Sequence, residues 1–284
     1  MAIKRVGIVG AGAMGSGIAQ VVAQSGYEVT MSDTGNALVE KGLAAITKYL
    51  NKSIEKGKLS PQEKEAILGR IKGTVEIKDF AECNLIIEAV PEIPELKKNI
   101  FSELDKICPE NTIIASNTSS LSIIEIAAVT NRLDKVLGLH FFNPPPIMKL
   151  LEIVKTIATS EETLQICKDF GTSLGKTVVI AKDTPGFIVN RLNIPYTLNA
   201  IRMLESGIAT REDIDNAVVN GLNYPMGPLA LADFLGVDTL YDIACDMYDK
   251  TKDPQFAPPV LLQKMYAARW FGRKTGRGFY EYNK

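Results

Sequence analysis

Strand-length apolar runs alternate with amphipathic segments over the first two thirds of the chain, and only the amphipathic kind continues into the last third. The runs at 4–9, 28–33, 84–89, 112–115, 135–140, 150–155 and 177–181 are short and rich in Val, Ile and Leu, as expected of strands covered on both faces. Between them lie helix-period segments with their own start and stop signals. One ends near Gln24, one runs from Pro94 to about Leu104, one opens at Ser122 with Glu125 closing a capping box, and one is bounded by Thr159, Glu162 and Gly175. Such alternation predicts a doubly wound, mostly parallel sheet, a Rossmann-type α/β domain.

Two departures from plain alternation refine this picture. Between Asp33 and the run at 84–89 the pattern is helical: one helix over about 37–56 stops near Gly57, and a second starts at Ser60-Pro61-Gln62-Glu63, a capping box with proline at the first position. A helical hairpin at about 37–70 is therefore inserted into the sheet domain. From Asp183 onward strand patterns vanish. Thr184-Pro185 predicts the start of a long helix reaching Ser206-Gly207, with Pro195 inside it, and Thr210, Gly227-Pro228, Val237-Asp238 and Pro258-Pro259 punctuate four more. The expected division is an α/β domain over 1–183 and an all-helical C-terminal domain over 184–284.

Charge narrows the class of partner. Among 284 residues, 32 basic and 33 acidic side chains leave a net charge of −1, which gives no global attraction to nucleic acid or to an anionic membrane. A polyanionic ligand would have to be held by local clusters. Lys48, Lys52 and Lys56 form one, at four-residue spacing along one helix face. The four cysteines (Cys83, Cys108, Cys167, Cys245) fit neither metal-ligand nor C-x-x-C spacing, so they read as reduced thiols with no metal site. No apolar run reaches membrane-spanning length and the first strand starts at once, so a cytoplasmic protein is expected.

The chemistry starts at the first turn. Gly10-Ala11-Gly12-Ala13-Met14-Gly15 follows a strand and opens a helix, the context in which a glycine trio signals a dinucleotide site. Gly10 permits the tight turn, Gly12 allows backbone amides to approach a pyrophosphate, and Gly15 allows close helix–strand packing. Asp33, at the end of the second strand, suits ribose hydroxyls and would repel a 2′-phosphate, which favours NAD and leaves NADP as the alternative. His140 is the only histidine. It falls at the carboxyl end of a strand, before Phe141-Phe142-Asn143-Pro144-Pro145-Pro146, a stretch too rich in proline to continue a sheet. Glu152 sits inside the apolar run 150–154, where a buried carboxylate needs a partner, and the reversal through Asn143 to Pro146 returns it toward His140.

With these motifs in hand, the chain resembles the L-3-hydroxyacyl-CoA dehydrogenase family, most closely its short stand-alone 3-hydroxybutyryl-CoA members. The resemblance spans nearly the whole length. It rests on the Gly10 to Gly15 turn, Ser116-Asn117-Thr118-Ser119-Ser120-Leu121, His140-Phe141-Phe142-Asn143-Pro144, Pro185-Gly186-Phe187-Ile188-Val189-Asn190-Arg191 and Thr275-Gly276-Arg277-Gly278-Phe279-Tyr280. It implies reversible NAD-dependent oxidation of (S)-3-hydroxybutyryl-CoA, with His140 as acid–base, Glu152 as its paired acid, and Ser119 and Asn190 holding the substrate's oxygen and thioester end. It also implies cofactor contacts at Gly10, Gly12, Ala13, Met14, Gly15, Asp33, Glu92, Lys97, Ser119, Asn143 and Lys274, coenzyme A contacts at Lys52 and Lys56, and a homodimer formed through the helical domain. One departure stands out: the turn after the run at 84–89 reads Val90-Pro91-Glu92, where the family often has glutamate directly after the alanine. Two rival readings are a β-hydroxyacid dehydrogenase of related fold, which would use a lysine base, and a non-enzymatic, crystallin-like NAD-binding protein.

Overall fold

A computed structural model describes residues 3–282 and divides the chain into two compact units, Met1–Thr184 and Pro185–Lys284. In the first, eight strands form one sheet: β1 (Arg5–Val9), β2 (Glu28–Ser32), β3 (Ile71–Thr74), β4 (Leu85–Glu88), β5 (Ile113–Ser116), β6 (Val136–Phe141), β7 (Leu150–Lys155) and β8 (Thr177–Lys182), in the order β3-β2-β1-β4-β5-β6-β7-β8. All neighbours are parallel except β6 and β7, which pair antiparallel. The helices are α1 (Ala13–Gln24), α2 (Asn36–Glu55), α3 (Pro61–Gly69), α4 (Pro94–Ile107), α5 (Ile123–Ala127) and α6 (Glu161–Ser173). Strand order reverses between β2-β1 and β4-β5, and such a switch point opens a crevice outside the carboxyl ends of the strands.

Burial explains the continuous apolar runs. Every residue of β4, β5 and β6 is buried. Val6, Ile8, Val29, Met31, Leu85, Ile87, Leu137 and Leu139 join Ile18 and Val22 of α1 and Ile46 and Leu50 of α2 in one core. The α2–α3 hairpin forms as expected, and the Ser60–Glu63 capping box is present, with the Glu63 amide 3.2 Å from Ser60 Oγ and the Ser60 amide 2.8 Å from the Glu63 carboxylate.

Several local expectations need correction. The edge strand β3 was not foreseen, because Ile71-Lys72-Gly73-Thr74 carries no apolar run and becomes a strand only by pairing with β2. α5 is not capped by Ser122 and Glu125. Its first amides, Ile123 at 3.0 Å and Ile124 at 2.8 Å, donate instead to the carboxylate of Asp183, beyond the end of β8. α6 takes Ser160 as its cap rather than Thr159, whose hydroxyl is engaged with Thr156 and the Val136 carbonyl.

The second unit is helical: α7 (Val189–Glu205), α8 (Arg211–Gly221), α9 (Pro228–Leu235), α10 (Val237–Thr251) and α11 (Val260–Ala267). α7 starts later than Thr184-Pro185 predicts, because Gly186 (φ +79°) and Phe187 (φ +47°) adopt left-handed backbone that an α-helix excludes. Pro195 lies inside α7. The core gathers Leu198, Ile201, Leu229, Leu240, Met247, Phe256 and Leu262. Two buried aspartates organise the unit. Asp215 accepts from the first amides of α9, Leu229 and Ala230, and Asp233 accepts from the amides of Phe279 and Tyr280 and from the Tyr282 hydroxyl.

Candidate active site

The glycine turn is built by close approach. Gly10 has φ +104° and donates its amide to the Ser32 carbonyl at 2.8 Å, which ties the turn to β2. A Cβ on Gly15 would stand 1.8 Å from the Gly10 carbonyl oxygen, so the first turn of α1 lies directly on the glycine turn. At Gly12 the opposite holds, since a Cβ there would meet no atom within 4 Å. The α1 N-terminus is therefore open at Gly12, and its first turn carries no acidic side chain. The Asp33 carboxylate bridges β2 to the turn by accepting from the Ala11 amide at 2.8 Å and the Thr34 amide at 2.7 Å. Open backbone at a helix N-terminus beside an anchored acid fits a dinucleotide.

On the other side of the switch point, the antiparallel return places His140 directly opposite Glu152 in the β6–β7 register. His140 Nδ1 lies 2.7 Å from Glu152 Oε2, with Glu152 fully buried and His140 6% exposed. A carboxylate accepts and a ring N–H donates, so Nδ1 is the donor of this bond and Nε2 is the nitrogen placed to exchange a proton. The Phe142 ring packs on the imidazole at 4.5 Å between centroids. Asn117, from the loop after β5, accepts from the Phe141 amide at 2.8 Å and fixes the strand beside the histidine.

Ser119 lies in that same loop, pinned by Glu92. The Glu92 carboxylate accepts from the Thr118 hydroxyl and from the amides of Ser119 at 3.0 Å and Ser120 at 3.3 Å. Burial pushes the Glu92 carboxyl up, but the Lys97 ammonium, the Thr118 hydroxyl and the Ser119 amide outweigh burial and hold it below the usual carboxylate range. Lys97, expected among the cofactor contacts, is buried in an ion-paired network. It is 1% exposed and its ammonium is held by Glu88 at 2.6 Å, Glu92 at 3.2 Å and the Val90 carbonyl at 3.2 Å.

Gly10 to Gly15, Asp33, Glu92, Ser119, His140, Asn143 and Glu152 thus belong to one unit, in loops, in the first turn of α1 and on β6 and β7, with Asn143 exposed in the turn after β6. Asn190 and Lys274 belong to the second unit: Asn190 in the first turn of α7, Lys274 ion-paired with Asp238. Lys48 and Lys52 line a surface depression of about 620 Å³ on α2 with Thr47, Asn51 and Glu55, while Lys56 caps the end of α2 and is not part of that lining. Sequence reasoning missed Glu88, Asn117 and Lys176. Glu88 ends an apolar strand just as Glu152 interrupts one, so the same demand for a partner was present. Lys176 donates to the carbonyls of Pro145 at 2.6 Å and Met148 at 2.7 Å, and holds the proline turn that follows β6.

The sheet order, the glycine turn and Asp33 together define the class, a dinucleotide-binding α/β domain followed by a helical domain. Residues 5–184 match the family description "3-hydroxyacyl-CoA dehydrogenase, NAD binding domain", and residues 186–282 match "3-hydroxyacyl-CoA dehydrogenase, C-terminal domain". The chain belongs to the 3-hydroxyacyl-CoA dehydrogenase family, whose N-terminal domain binds NAD. It is 47% identical over 283 residues to a 3-hydroxybutyryl-CoA dehydrogenase of Mycobacterium tuberculosis, covering 99% of each chain. It is 42% identical over 287 residues to the mitochondrial hydroxyacyl-coenzyme A dehydrogenase of Homo sapiens, covering 99% of this chain and 91% of the human one. The solved (S)-3-hydroxybutyryl-CoA dehydrogenase of Ralstonia eutropha superimposes with a TM-score of 0.97 at 44% identity over the full length of both chains.

Proposed function

We propose that the chain catalyses the reversible NAD-dependent oxidation of (S)-3-hydroxybutyryl-CoA to acetoacetyl-CoA, with His140 as acid–base. The observation that carries this reading is the buried His140–Glu152 pair at the carboxyl end of β6, in a chain with full-length likeness to enzymes of that name. NAD, when bound, supplies the hydride acceptor for C3 of the hydroxyacyl group. In oxidation, His140 Nε2 takes the proton of the 3-hydroxyl, and in reduction the imidazolium returns it. Glu152 holds Nδ1–H, orients the ring and stabilises the imidazolium by its charge. Ser119, with its backbone fixed by Glu92, holds the substrate oxygen. Asp33 takes the ribose hydroxyls and disfavours a 2′-phosphate.

The coenzyme A phosphates are assigned to Lys52 and Lys56, with Lys48 beside them, as compact point charges that attract without fixing orientation. A homodimer through the helical unit is supported by its exposed apolar side chains, among them Leu192 at 70% and Ile208 at 67% exposure. A reducing, cytoplasmic setting is supported by four free thiols, three of them buried. The test is a spectrophotometric assay with acetoacetyl-CoA, free acetoacetate, NADH and NADPH. Turnover of the thioester with NADH, and not of the free acid, is expected. Equal turnover of free acetoacetate would move the assignment to a small-acid dehydrogenase.

A further inference from the structure

The carboxyl ends of β4 and β5 carry a buried charge network that the acid–base pair does not use. Glu88, the last residue of β4, is fully buried, and its carboxylate accepts from Lys97 Nζ at 2.6 Å, the Val90 amide at 2.7 Å and the Ser116 hydroxyl at 2.7 Å. Lys97 lies between Glu88 and a second carboxylate, that of Glu92 at 3.2 Å. Two carboxylates share one ammonium, so the network carries a net charge of −1. Glu88 and Lys97 are closed to water at 0% and 1% exposure, whereas the Glu92 side chain is 36% exposed. The uncompensated charge therefore emerges on Glu92, in the turn after β4, against the Ser119 loop.

That location matters for an NAD site. A doubly wound sheet binds one mononucleotide over each half. The half containing β1 and β2 holds Asp33, and the half containing β4, β5 and β6 holds Glu92, Ser119 and His140. The nicotinamide half belongs with the acid–base, because hydride and proton leave the same C–OH group. The nicotinamide ring is cationic when oxidised and neutral when reduced, so a fixed charge on this side acts on one redox form only.

We propose that Glu88, Lys97 and Glu92 form a redox-discriminating network, in which Glu88 neutralises Lys97 so that Glu92 presents an uncompensated negative charge favouring the oxidised nicotinamide. Glu88 is then a positioning residue acting through Lys97, remote from the reacting atoms. The proposal rests on the reading that this crevice binds NAD.

The test compares dissociation constants for NAD+ and NADH, by calorimetry and by NADH fluorescence, in four proteins. In Glu88→Gln the single ammonium neutralises Glu92, and the ratio of the NAD+ constant to the NADH constant rises about five- to tenfold. In Glu88→Gln/Lys97→Met the net charge of −1 returns on Glu92, and the ratio falls back toward wild type. Glu92→Gln leaves the buried Glu88–Lys97 pair intact and raises the ratio in the same direction, which keeps the test decisive if a core variant does not fold. A purely structural role would lower the melting temperature while leaving the ratio alone. An unchanged ratio in Glu88→Gln and Glu92→Gln, with both nucleotides still bound, would overturn the proposal. Wild-type protein that binds neither nucleotide would overturn the cofactor reading itself.

Discussion

A histidine facing a fully buried glutamate across an antiparallel register is a demanding arrangement, because the carboxylate has no water to fall back on. Replacing Glu152 by Gln keeps the shape but removes the charge that stabilises an imidazolium. The expected result is a kcat lower by about ten- to a hundredfold and a shifted pH–rate profile. A profile superimposable on wild type would show that the pair does not act together. Glu92 makes a separate prediction about stability. Its folded-state carboxyl is held below the ordinary value of 4.5, so it stabilises the fold above that value, and the contribution is lost as pH falls through the folded pKa. Acid unfolding followed by circular dichroism should show a shallower loss of stability below pH 4.5 in Glu92→Gln than in wild type. At this scale His140 and Glu152 were legible as a lone histidine at a strand end and an acid in an apolar run. Glu88 offered the same signal, but the burial of its partner Lys97 was not legible, because sequence does not say whether a helical lysine turns inward.

Among elements, the glycine turn separates fold from binding. Gly12 has backbone of φ −67° and open space where a Cβ would stand, so Gly12→Ala should leave the melting temperature nearly unchanged while weakening NADH binding. Gly15 has the Gly10 carbonyl in that space, so Gly15→Ala should destabilise by about 3 kcal/mol or more, measured by urea unfolding. Equal stability losses in the two variants would contradict this division of roles. The strands with continuous apolar runs and the α2–α3 hairpin could be read directly, because their signals lie within their own residues. β3 could not, since its strand character comes from β2. The cap of α5 could not either: it is supplied by Asp183, sixty residues further along the chain from Ile123.

For the molecule as a whole, the central claim is that one crevice at the carboxyl ends of β1 to β6 joins a dinucleotide turn to an acid–base pair. The thiols stand apart from this chemistry. Burial pushes Cys83 and Cys167 up to about 12 and Cys108 to about 11, so thiol reagents near neutral pH should leave these three unreacted until the protein is unfolded. Rapid labelling of all four in native protein would contradict their burial. The most direct measurement is steady-state reduction of acetoacetyl-CoA by NADH in wild type and His140→Gln, with NADH affinity determined in parallel. Gln offers an amide donor to Glu152, so the fold and the nucleotide site should survive. The expected result is a kcat reduced by about a thousandfold with NADH affinity within about twofold of wild type. A variant that turns over at near-wild-type rate would contradict the assignment of His140 as the group that moves the proton.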